Sequence, residues 1–140
     1  MKSTVLDTGP LVAYFDVDDH AHAAASAWFE RESHKRRLLC TEVVVTEATH
    51  LLDFNVAVQT AFLDWVRGAV AVVPVPASAY ETIAQWMRAY DNVPMDFADA
   101  TALWLYRETP DAEILTLDQR GFGVFRLPGQ VRKMPKVVAL

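Results

Sequence analysis

The chain has one cysteine, five glycines and no acidic residue after Asp118, and each scarcity removes a class of explanation. With Cys40 alone an internal disulfide is excluded, and the composition fits a reducing compartment. No glycine-rich phosphate loop can be read. No apolar run approaches the roughly 18 residues of a membrane span, because charges or prolines interrupt every candidate. The opening stretch MKSTVLDTGP reaches Asp7 before the apolar region of a signal peptide could develop. The expectation is a cytoplasmic protein with no membrane partner.

What the chain holds in quantity is apolar residues, 52% of its 140. That suffices for one domain, 1–140, with a core of its own, and leaves a surplus that could cover a partner or a dimer interface. The net charge of −5 argues at first sight against nucleic acid. Its distribution is less one-sided: HKRR occupies 34–37, and Arg120, Arg126, Arg132, Lys133 and Lys136 fill the acid-free end. Solvated surface is the plain alternative for both basic runs.

Periodicity sets out the elements. TVL at 4–6 is a short strand ending in Asp7, and Thr8 and Pro10 suit a helix start just after it. HAHAAASAWFERES reads as a second helix and RLLCT as a strand. EVVVTEATHLLDF is read as a helix because Val44, Glu47, Ala48 and Leu51 recur at helical spacing. VAVQTAFLDWVR follows as a helix that Gly68 should end, with Ala57, Ala61, Leu63, Trp65 and Val66 around it. VAVVPV is expected to be a buried strand. ASAYETIAQWMRAY places Tyr80, Ile83, Ala84 and Met87 on one helical stripe. The helix after Asp99 is apolar on nearly every side and should be buried. EILTLD closes as a strand in Asp118, and GVFRL could add an edge strand. Short strands alternating with helices give an α/β fold with a mostly parallel sheet.

In such sheets ligands bind beyond the carboxyl ends of the strands. Asp7 and Asp118 each close a strand, Glu47 lies about two turns into a helix that follows one, and Asp99 sits in a first helical turn. Four acids far apart in sequence can therefore point into one crevice. Like charges so placed repel unless cations share them. An all-oxygen set favours Mg²⁺ or Mn²⁺, and one or two such ions can serve phosphodiester hydrolysis. Each acid also has an ordinary role open to it: Asp7 and Asp118 as turn formers, Glu47 as an exposed helix residue. Asp96 and Asp99 also read as a capping pair.

The ordered segments VLDTGPLVAYFD, TEVVVTEATHLL, MDFADATALWL and ILTLDQRGFGVFR resemble the PIN-domain ribonucleases, and among them the VapC-type toxins of toxin–antitoxin pairs. The resemblance runs from residue 4 to about 127. It implies a three-layer fold whose central sheet has four to five strands. It makes Asp7, Glu47, Asp99 and Asp118 the catalytic and metal-binding acids, with Asp96 an additional acid of less regular occurrence. Thr8 and Thr116 match hydroxyl residues that lie beside those acids. The implied activity is metal-dependent endonucleolytic cleavage of single-stranded regions of tRNA, rRNA or mRNA. The implied partners are a small antitoxin and a second copy of the chain. Arg120 and Arg126, with Phe122 and Phe125, lie next to Asp118 where RNA would be contacted, although the two phenylalanines also suit a core.

Other residues invite weaker readings. His20 and His22 are two apart and do not share a helix face. His50, one turn after Glu47, is read as a partly buried structural histidine. The four tryptophans suit core or interface packing. A Mg²⁺-dependent phosphatase would want an acid where Gly9 stands and a lysine near the later acids, where none follows Asp99 until Lys133. A non-catalytic PIN-fold binding module would tend to have lost one of the four acids.

Overall fold

The computed structural model describes residues 1–90, 95–117 and 137–139. Its strands are β1 (Lys2–Leu6), β2 (Arg36–Thr41), β3 (Ala71–Val73), β4 (Glu113–Thr116) and β5 (Val137–Ala139). All adjacent pairs are parallel, in the order β3-β2-β1-β4-β5. The helices are α1 (Thr8–Phe15), α2 (His22–Glu32), α3 (Glu42–Leu51), α4 (Val56–Ala69), α5 (Tyr80–Ala89) and α6 (Phe97–Glu108).

Alternation along the strands sorts the core into two layers. Val5, Leu39 and Ile114 point to one face, where Ile83 and Trp86 of α5 and Leu103 and Leu105 of α6 cover them. Leu6, Leu38, Cys40 and Leu115 point to the other, against Leu11, Phe29, Val44 and Phe62 of α1 to α4. Helices on both faces of a parallel sheet form the three layers expected. Cys40 is wholly enclosed, and burial pushes its thiol up to about 12, which makes it inert filler.

Helix α6 is buried from Ala100 through Tyr106, in keeping with its unbroken apolar sequence. Five other sequence expectations need correction. Gly68 does not end α4, which continues to Ala69; the chain turns extended at Val70, where β-branched residues begin. The buried face of α4 runs through Phe62 and Val66, while Ala57, Ala61 and Leu63 are exposed. β3 is a short, largely exposed edge strand, because nothing pairs beyond it in the five-stranded order. On α5 the enclosed residues are Ile83 and Trp86, and Tyr80 stands outside. His50 is exposed, not partly buried. The GVFRL stretch lies outside the described residues, and β5 takes the place beside β4.

At the amino ends of the strands, Glu113 joins Lys2 and Arg36, the latter at 2.8 Å, and Arg36 also reaches Glu32 at 3.5 Å. Burial opposes the Glu113 charge, but Lys2 and Arg36 outweigh it and hold the carboxyl below the usual range. That end of the sheet is neutralised. Among the described residues the carboxyl end has no such ion pair.

Candidate functional site

The chain runs β1, β2, β3 toward one side of the sheet and then places β4 on the other side of β1. A crevice opens where such an order reverses, beyond the carboxyl ends of β1 and β4. Asp7 is the first residue after β1 and the N-cap of α1, and its side chain makes no capping hydrogen bond. Freed from capping, the carboxylate turns toward β4. There the Thr116 hydroxyl, on the last residue of β4, donates to Asp7 Oδ2 at 2.7 Å. The other oxygen, Oδ1, is buried and has no hydrogen-bond partner among the described residues. A buried carboxylate oxygen left in this way costs free energy unless a ligand uses it.

The surroundings sharpen that cost. Burial raises the Asp7 carboxyl from 3.8 to about 6; the Thr116 hydroxyl and the Thr8 amide pull it down, and Glu47 and Asp96 push it up. Glu47 is also raised, first by burial and then by Asp96, and the Thr8 hydroxyl donates to its Oε2 at 3.2 Å. Asp99 is raised further, by burial and by repulsion from Asp7 and Asp96. These four acids from three separated segments thus feel one another's charge. Among the described residues, no three His, Cys, Asp or Glu side chains are gathered closely enough to enclose an ion by themselves.

Asp96 and Asp99 form a reciprocal cap at the start of α6. Asp96 accepts from the Asp99 amide at 2.8 Å, and Asp99 accepts more loosely from the Asp96 amide at 3.4 Å. The capping reading therefore holds for this pair, and from the cap both carboxylates still act electrostatically on the neighbouring acids. Thr8 and Thr116 lie against Glu47 and Asp7, as their sequence positions suggested. Gly9 brings α1 close to the segment after β4, since a Cβ there would sit 3.3 Å from Leu117 Cδ1. An acid at position 9 has little room. Asp118, Arg120 and Arg126 lie outside the described residues, as do Phe122 and Phe125.

Sequence reasoning missed two hydroxyls next to the site, Thr41 and Thr101. Both are fully buried. A buried threonine is indistinguishable from valine in a hydrophobic pattern, so only Thr41's place before α3, as an N-cap, could have marked one of them.

The oxygen-only donors and the unpartnered Asp7 Oδ1 fit a hard divalent cation. Thr116 is the group that keeps Asp7 available to it. Thr116→Val is expected to move the Asp7 titration above about 6, because it removes the hydrogen bond that favours the charged form. Carboxyl ¹³C chemical shifts followed against pH would show this, and an unmoved titration would deny Thr116 that role.

Comparison with known proteins gives a consistent setting. A sequence profile of the PIN domain matches residues 4–125. Ribonuclease VapC26 of Mycobacterium tuberculosis is 30% identical over 125 residues, spanning 87% of this chain and 91% of the relative. The crystal structure of VapC20 from the same organism, a toxin that cleaves the sarcin–ricin loop, superposes with a TM-score of 0.70 at 21% identity. It covers 94% of this chain and 99% of its own. VapBC2 of Rickettsia felis, crystallised with a DNA fragment of its promoter, superposes at 0.65 with 11% identity, covering 98% of each chain.

Proposed function

The chain belongs to the PIN-domain family, and from that membership we propose that it is a Mg²⁺- or Mn²⁺-dependent endoribonuclease, the toxin of a toxin–antitoxin pair. The observation that carries the reading is the Asp7 carboxylate, buried at the switch point with three other acids around it and with one oxygen unpartnered among the described residues. Asp7, Glu47 and Asp99, with Asp118, would hold one or two ions, and Asp96 would add charge from the helix cap. When bound, such ions activate the attacking water and offset the charge that builds on the phosphodiester. Thr116 keeps Asp7 ionised, Thr8 orients Glu47, and α6 presents Asp99 from its first turn. Single-stranded RNA suits this crevice, because its unpaired bases can splay apart and let the backbone bend toward the acids.

An antitoxin partner has support in the resemblance to a VapBC assembly. A homodimer would draw on the exposed apolar residues Leu51, Phe54 and Val56 around the α3–α4 turn. No helix among the described residues is long and apolar enough to cross a membrane.

The test is incubation of the purified protein with cellular RNA in Mn²⁺ and in EDTA, followed by sequencing of new 5′ ends. Discrete cleavage positions are expected in Mn²⁺ and none in EDTA. Identical patterns in both conditions, or no new ends in either, would overturn the proposal.

A further inference from the structure

The helices that carry Glu47 and Asp99 are joined by a hydrogen-bonded chain that the proposed reaction does not itself use. Thr41 ends β2 and caps α3, and Thr101 lies in α6 two residues after Asp99. Their hydroxyl oxygens are 2.9 Å apart, and neither residue has any exposed surface. The direction of the bond between them can be deduced. The Thr101 hydroxyl has one hydrogen and donates it to the Ala98 carbonyl at 2.8 Å. Thr41 must then be the donor to Thr101. Thr41 Oγ1 in turn accepts from the Val44 amide at 3.2 Å. The chain runs from the Val44 amide through both hydroxyls to the Ala98 carbonyl, with every donor matched to an acceptor.

This tie spans from the first turn of α3 to the first turn of α6. Around it α6 presents small apolar residues, Ala98 to one core layer and Ala100 and Ala102 to the other, whose packing is non-directional. The first turn of α6 carries Asp99 beside its cap Asp96, and like charges so placed repel. Repulsion of that kind works to displace the first turn of α6. A directional bond in a dry interior resists such a displacement more strongly than apolar contact does.

We propose that Thr101, acting through Thr41, is a positioning residue that holds Asp99 in register with Glu47 so that both can serve one cation. The inference rests on the metal-dependent reading above. Thr101→Val keeps the shape and removes the bond; it is expected to weaken Mn²⁺ binding, measured by calorimetry, by about tenfold. It should also lower kcat for RNA cleavage while leaving KM for RNA unchanged. Thr101→Ser should restore both. Thr109→Val deletes another hydroxyl bond of the same helix, 2.7 Å to the Leu105 carbonyl at its far end, and should leave Mn²⁺ affinity at the wild-type value. Should Thr101→Val not fold, Thr101→Cys, a poorer hydrogen-bonding group of similar size, is expected to give an intermediate loss. Wild-type Mn²⁺ affinity in Thr101→Val and Thr101→Cys, or an equal loss in Thr109→Val, would overturn the positioning role. A wild-type protein that binds Mn²⁺ but leaves RNA intact would overturn the ribonuclease reading alone, since the calorimetric comparison still decides for Thr101. Absence of Mn²⁺ binding by the wild type would overturn both.

Discussion

Replacing Asp7 with asparagine is expected to lower Mn²⁺-dependent RNA cleavage by on the order of 10³-fold while leaving the fold unchanged. The reason is local. Asparagine matches aspartate in volume, and its carbonyl oxygen can still accept the Thr116 hydroxyl at the position Oδ2 now holds. What it loses is the charge and the second oxygen donor, Oδ1, which has no hydrogen-bond partner among the described residues to miss it. The substitution therefore separates chemistry from stability, which truncation to alanine would confound by leaving a cavity. The pair of measurements is single-turnover cleavage of a mapped RNA site and a thermal melt. Retained cleavage with a normal melt would remove Asp7 from the site, and the site would then have lost its centre.

The second large effect concerns stability, and it has the opposite sign to most substitutions of buried groups. Asp7, Glu47 and Asp99 all have folded-state carboxyl values raised above those of the unfolded chain. Between the unfolded value and the raised one, the folded protein holds protons that the unfolded chain has released. Raising the pH through that window, from about 4 through 6 and above, strips those protons and costs the folded state. In EDTA the protein is accordingly expected to be most stable near the acid side of the window and to weaken toward pH 8. Asp99→Asn removes one of the mutually repelling charges but keeps an oxygen to accept from the Asp96 amide. It should stabilise the protein at pH 8 by about 1–2 kcal/mol, or roughly 3–10 °C in melting temperature, and by little at pH 4.5. Added Mn²⁺ should reverse the order, raising the wild-type melt more than the variant's. Melts at two pH values, with EDTA and with Mn²⁺, provide the check. A variant no more stable than wild type at pH 8 in EDTA would show that the acids do not burden the fold.

Much of this arrangement could be read from residues alone, and the reasons are specific. Asp7 was legible because a β-prone run stops at it and a helix-compatible threonine and proline follow. Asp96 and Asp99 were legible because an acid at the cap and another three residues on form a recognisable pair before an apolar run. Glu47 required a choice between strand and helix for a valine-rich segment, and the helical spacing decided it correctly. The failures share a cause. In 56–75 valine and alanine are so frequent that neither the phase of α4 nor the exposure of β3 is set by pattern; position in the sheet sets both. β5 was missed because its pairing with β4 is a property of the assembled sheet, absent from three residues of local sequence. Thr41 and Thr101 were missed because hydrophobic periodicity records where a side chain points and not what its hydroxyl meets.

The bond between Thr116 and Asp7 joins residues 109 positions apart, and this has a meaning for biosynthesis. A ribosome releases Asp7 early and the strand that completes its surroundings late, after roughly 5–20 s at ordinary elongation rates of about 5–20 residues per second. β1 must therefore wait beside β2 with one edge open until β4 is delivered to it. A nascent chain cut short anywhere before residue 113 retains its first acid and lacks the strand that orients it. An unfinished copy of this protein is, by its topology, unarmed.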